Sequence, residues 1–97
     1  MDAQGNPIYR VRLPKEGEIL GIVEEMVGGA RMRVNCADGL MRLCRVPGKM
    51  KRFAWVRAGD LVIIKPWEYD KMKADIEFRY HKGDAEYLRT KGYLKGL

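Results

Sequence analysis

The chain has 97 residues, a formal net charge of +6, 46% hydrophobic and 33% charged residues, two cysteines and one histidine. That length supports one domain with a modest core, and no apolar run approaches the roughly 20 residues of a membrane span. Cys36, Cys44 and His81 are too few ligands, at the wrong spacing, for a zinc site, so no metal and no cofactor are expected.

Met1 to Glu16 is polar, broken at Gly5-Asn6-Pro7 and Pro14, and reads as a partly extended tail that Ile8, Val11 and Leu13 could pin down. It has no apolar segment of the secretory type, which makes the cytoplasm the expected compartment. A first strand is predicted at 18–27, with Gly21 marking a bulge or bend and Val27-Gly28-Gly29 ending it. A second, at 30–37, alternates Ala30, Met32, Val34 and Cys36 against Arg31, Arg33 and Asn35.

Asp38-Gly39 then signals a two-residue type I′ hairpin. Such a turn opposes Cys36 to Met41, Val34 to Leu43 and Arg33 to Cys44, and directly opposed residues share a face. The inner face becomes Met32, Val34, Cys36, Met41 and Leu43. Arg31, Arg33, Asn35, Arg42 and Cys44 form the outer face, so the two cysteines point to opposite sides and a disulfide between them is excluded.

After a third strand at 40–46, the window from Arg42 to Arg57 carries Arg42, Arg45, Lys49, Lys51, Arg52 and Arg57 and no acid. These six cations equal the net charge of the whole chain, so the other residues sum to zero. A local excess of this kind is an electrostatic footprint for a polyanion. Met50 and Phe53, three residues apart within it, share a face on a short helical turn near 48–53. Leu61-Val62-Ile63-Ile64 is a strand covered on both sides, part of a fourth strand at 60–66. The fifth, at 74–80, sets Ala74, Ile76, Phe78 and Tyr80 against Asp75, Glu77 and Arg79. Lys82 to Leu94 is helical, with Asp84 as N-cap and Leu88 as its anchor, and it frays at Gly92 and Gly96.

Five short strands with a helical turn between the third and fourth describe an all-β, five-stranded oligonucleotide-binding Greek-key barrel followed by a C-terminal helix. Residues 1–16 form the tail, 17–81 the barrel, and 82–97 the helix and a short tail. In this fold Met50 and Phe53 would plug one barrel end, and nucleic acid lies across strands two and three and the loops after strands one and four.

The run Asp38-Gly39-Leu40-Met41-Arg42-Leu43-Cys44-Arg45-Val46-Pro47-Gly48-Lys49-Met50-Lys51-Arg52, followed by Trp55, resembles the centre of the archaeal and eukaryotic translation initiation factor 1A family. Ala58-Gly59-Asp60, Lys73-Ala74-Asp75-Ile76, Asp84-Ala85-Glu86 and Leu88 extend the match to about residues 15–93. The Gly-Lys-Met-basic-basic portion is also similar to bacterial initiation factor 1. The resemblance implies a protein that binds ribosomal RNA in the A site of the small ribosomal subunit and promotes initiator tRNA placement. Its partners would be that subunit and its RNA directly, and initiator tRNA and other initiation factors indirectly. It would be a monomer off the ribosome and have no membrane partner. Carried onto this sequence, the RNA-facing positions are Arg31, Arg33, Arg42, Arg45, Lys49, Lys51, Arg52 and Trp55. The short mixed N-terminus and the absence of a long acidic tail after Lys95-Gly96-Leu97 bring the chain closer to the archaeal form.

No enzymatic constellation is evident. Glu24 and Glu25 are adjacent on a strand and point apart, His81 reads as a surface residue, and Gly28-Gly29 is a turn rather than a phosphate loop. Trp55 has two readings, stacking on a base or capping the barrel, and Trp67 in the loop after strand four has the same two. The alternative function is a general single-stranded RNA-binding protein or RNA chaperone of cold-shock type. Such proteins display stacking aromatics on strands two and three, where this chain has arginines.

Overall fold

A computed structural model describes residues 11–48 and 56–97. It contains β1 (Ile19–Gly28), β2 (Arg31–Cys36), β3 (Met41–Arg45), β4 (Leu61–Pro66), β5 (Lys73–Arg79) and α1 (Lys82–Thr90). The strands close into a barrel in the order β1-β2-β3-β5-β4. All neighbours are antiparallel except β3 and β5, which run parallel. The helical turn expected near 48–53, with Met50 and Phe53, falls on residues 49–55, outside the described ones.

Among the described residues, two apolar clusters hold the barrel. Its interior packs Val23, Met32, Val34, Cys36, Cys44, Val56, Val62, Ile64, Ala74 and Ile76. A second cluster, outside the barrel wall, joins Leu20, Leu61, Ile63 and Tyr80 to Leu88 and Leu94 of the C-terminal segment. The unbroken apolar run of β4 follows directly. Val62 and Ile64 face the interior, Leu61 and Ile63 face α1, and all four are buried. Leu88 is fully buried, as its anchor role requires. The helix starts after His81 rather than at Asp84, which instead lies in the first turn, where its charge suits the helix dipole. It stops at Lys91 in a defined turn rather than by fraying. The Tyr93 N–H donates to the Leu88 carbonyl and that of Gly92 to Arg89, the pattern of a Schellman cap.

The alternation read for β5 holds only in part. Ala74 and Ile76 face the interior, but Phe78 and Tyr80 join the outer cluster. Ile64 pairs with Ile76 and Ile63 with Phe78, so Glu77 is an extra residue, a bulge that reverses the facing of everything after it. Gly21 is the second departure. The irregularities in β1 come later, between Val23 and Glu25 and between Met26 and Gly28. Gly21 instead pairs with Cys36 of β2 and Val62 of β4 at once, where β1 passes from one neighbour to the other. A Cβ there would lie 2.4 Å from Val34 Cγ1, so the site demands a residue without a side chain.

The β2–β3 hairpin is the main correction. Its pairs are Arg31–Arg45, Met32–Cys44, Arg33–Leu43, Val34–Arg42 and Asn35–Met41, one residue away from the type I′ register. The cause is the turn. Gly39 has φ +88°, while Asp38 keeps an ordinary negative φ, whereas a type I′ turn needs both positive. The Gly39 N–H donates to the Cys36 carbonyl, and the Cys36 N–H to the Leu40 carbonyl. This is a three-residue loop, a type I turn followed by a left-handed glycine, and Asp-Gly suits it equally well. One extra loop residue turns every side chain of β3 over. Met41 and Leu43 therefore face outward, and Arg42 and Cys44 inward. Cys36 and Cys44 share the interior face, yet both are free thiols. Cys44 pairs with Met32, four residues along β2 from Cys36, so the two lie roughly 13 Å apart, beyond disulfide reach.

Candidate nucleic-acid interface

The outer face of β2 and β3 carries Arg31, Arg33 and Asn35 beside Met41, Leu43 and Arg45. Arg31 sits directly opposite Arg45, an arrangement of like charges that disfavours the sheet unless something neutralises it. For Arg45 that is Asp75, whose Oδ1 accepts from Nε at 2.8 Å. Arg33 is held more loosely, 3.2 Å from Glu25 with both side chains largely exposed. Exposed ion pairs of this kind contribute little, so Arg33 is free to exchange partners. Arg31 forms no ion pair among the described residues.

The loop after β4 walls this face. The Trp67 indole N–H donates to Asp75 Oδ1 at 3.0 Å, and the Arg45 guanidinium and Lys73 ammonium lie 5.2 and 5.7 Å from its ring centroid. Cation–π contact and the hydrogen bond fix Trp67 as part of the scaffold. Tyr69, two residues on, is 99% exposed. Between loop and sheet lies a depression of about 320 Å³ lined by Arg33, Met41, Arg42, Leu43, Asp70, Met72 and Lys73. Its lining joins the apolar Met41, Leu43 and Met72 to the cations Arg33 and Lys73, with Asp70 4.0 Å from Lys73.

Arg42 departs from the expected arrangement. It is the one buried charged residue described, 4% exposed, and its fork grips Asp38 with Nη1 to Oδ1 at 2.9 Å and Nη2 to Oδ2 at 2.7 Å. Its Nε donates to the Lys71 carbonyl at 2.6 Å. The bond to Arg42 holds the Asp38 carboxyl below its usual range, and the bond to Asp38 raises the arginine in turn. Arg42 is thus not on the outer face, and the register shift is the reason. Of the other expected positions, Arg31, Arg33 and Arg45 lie together on that face, while Lys49, Lys51, Arg52 and Trp55 lie outside the described residues. The residue reading missed Lys73, Tyr69, Met41, Leu43 and Met72. The parallel pairing of β3 with β5, which sets Leu43 beside Lys73, was the available signal for Lys73, since this strand order belongs to the barrel type already inferred.

A closed barrel in this strand order, with a basic face on β2 and β3 and a loop wall after β4, defines an oligonucleotide-binding fold. A solved structure shares it: translation initiation factor 1 from the Wolbachia endosymbiont strain TRS of Brugia malayi, at TM-score 0.53 and 26% identity, covering 73% of this chain and 84% of that one. Residues 8–96 match the family Translation initiation factor 1A / IF-1, and the chain belongs to that family. Translation initiation factor 1A of Methanothermobacter thermautotrophicus is 50% identical over 93 residues, 95% of this chain and 94% of that protein. Its counterpart in Methanococcus aeolicus is 55% identical over 89 residues, 89% and 85% of the two chains. The family gives the chain a part in translation initiation and is not one of enzymes.

Proposed function

We propose that this protein binds ribosomal RNA in the A site of the small ribosomal subunit and thereby promotes placement of initiator tRNA, acting as a monomer when off the ribosome. Arg31, Arg33 and Arg45 contact phosphates from the outer face, and Lys49, Lys51, Arg52 and Trp55 extend the contact along the chain. One observation carries the reading. Arg31 sits opposite Arg45 across the sheet and has no ion pair among the described residues, and the ion pair described for Arg33 is exposed and exchangeable. A phosphate array relieves that repulsion and releases its own counterions. Family membership supports the choice of ribosomal RNA.

A second reading, a general single-strand binder, draws on the outward turn of Met41 and Leu43 beside Met72 and the exposed Tyr69. These side chains offer unpaired bases an apolar surface that the expected arginine-only face lacked. Competition separates the two. Labelled protein on isolated small subunits is challenged with poly-U at equal nucleotide concentration near physiological salt. Retention on the subunit, with loss on adding an A-site ligand, supports the first reading, and ready displacement by poly-U overturns it. Lys51→Ala with Arg52→Ala should weaken subunit binding and flatten its salt dependence while leaving thermal stability nearly unchanged.

A further inference from the structure

We propose that Arg42 is a positioning residue for the RNA face, a buried bracket that sets the loop after β4 against β3 without itself touching a phosphate. The inference rests on the outer face of β2 and β3 being the RNA-binding face. Three parts of the chain, one of them 29 residues away, meet at this residue. Its guanidinium fork holds Asp38 of the β2–β3 turn, its Nε holds the Lys71 carbonyl of the loop after β4, and its backbone pairs with Val34 of β2. The adjoining Leu43 N–H donates to the Met72 carbonyl at 3.0 Å, a second tie to the same loop. Lys73, next along, begins the parallel pairing with β3.

Asp38 does two things in this bracket. Oδ1 also accepts the Leu40 N–H at 3.2 Å, which stabilises the turn. Both carboxylate oxygens are therefore occupied by the turn and the fork. The planar five-donor geometry of arginine meets this arrangement and an ammonium cannot, because a lysine has no fork to span a carboxylate while reaching a carbonyl. What the bracket places is the far wall of the depression, Met72 and Lys73 facing Arg33 and Leu43. Without it, the loop would keep only the Met72 tie and its two ends, and Lys73 would lose its fixed spacing from Arg33.

The charge arithmetic makes the idea testable against a plain electrostatic role. Asp38→Asn removes a negative charge, which by electrostatics alone tightens binding to RNA. A broken bracket loosens it. Arg42→Lys keeps the charge, so any loss of affinity comes from geometry. Arg31→Gln serves as the phosphate-contact control. Affinity for isolated small subunits is measured across a salt series, at a temperature where circular dichroism shows each full-length variant folded, and amide exchange is followed at Leu43 and Lys73.

Asp38→Asn and Arg42→Lys should each weaken binding about 2- to 30-fold, with the salt slope of the parent protein and faster exchange at Leu43. Arg31→Gln should lower the slope by about 0.7–0.9 and leave exchange at Leu43 unchanged. Tighter binding by Asp38→Asn, unchanged protection at Leu43 in both variants, or a lower slope for Arg42→Lys would each overturn the proposal. If Arg31→Gln alters neither affinity nor slope, the RNA face has been misplaced, while the exchange data still decide whether the bracket exists. Should Arg42→Lys fail to fold, Asp38→Asn, at the more exposed end of the pair, carries the test.

Discussion

Gly21→Ala is the sharpest probe of how the barrel closes. The added methyl would lie 2.4 Å from Val34 Cγ1 and 3.2 Å from the Asn35 carbonyl oxygen. Non-bonded carbons rest at about 3.5–4.0 Å, so something must move by roughly 1 Å. Val34 is β-branched, stiff at χ1, and fully buried, so its methyl cannot swing aside. Gly21 is also paired to β2 on one side and β4 on the other, which leaves the backbone no free direction. Overpacking of this kind costs about 1–3 kcal/mol, and the entropic gain of replacing a strand glycine by alanine returns roughly 0.5–1 kcal/mol. The expected net loss is about 1–2 kcal/mol, or about 5–15 °C in melting temperature for a domain of this size. Thermal unfolding followed by circular dichroism measures it. Val34→Ala removes the clashing methyl, so the double variant should be more stable than the sum of the single effects by about 1 kcal/mol. A Gly21→Ala protein that melts at or above the parent temperature, or strict additivity in the double variant, would refute the reasoning.

Three further outcomes follow from local geometry. Ala30 has φ +57°, in the left-handed region that L side chains avoid, so Ala30→Gly should raise stability by about 0.5–1 kcal/mol in denaturant titration, and a loss would show that the turn is held otherwise. Burial pushes both thiols up, Cys44 to about 12, so a thiol reagent at pH 8 should modify neither cysteine until the protein is unfolded, and stoichiometric labelling of the native protein would contradict their placement. Because the bond to Arg42 lowers the Asp38 carboxyl, the stability it adds is present above the ordinary aspartate value of about 3.9 and is lost as pH falls through the lowered folded value. Asp38→Asn should therefore flatten the acid limb of the stability profile, and an unchanged limb would mean that the pair adds nothing.

Much of this was legible in the residues. The alternation of Arg31 to Cys36 and the four-residue apolar run of β4 state how many sides of each strand are covered, because side chains repeat every two residues and burial on both faces leaves no polar position. Leu88 is the fully buried residue of a helix whose other positions are exposed or partly buried. Strand number, barrel type and the outward placement of Arg31 and Arg33 came from such local patterns.

The facing of β3 did not. Asp38-Gly39 serves two turn types that differ by one loop residue, and the choice depends on the φ of Asp38, which the pair of letters leaves open. Tertiary contact decides it. In the observed register Arg42 meets Asp38, four residues back, and the Lys71 carbonyl, 29 residues on, a partner that exists only once the loop after β4 has come alongside. The same holds for Glu77, whose bulge redirects Phe78 and Tyr80 toward α1, and for Gly21, whose constraint is a methyl of another strand. Sequence by itself determined the strands, the barrel and the arginines of β2. Only the closed structure decided which residues of β3 face the solvent, because that choice is made by contacts between segments far apart in the chain.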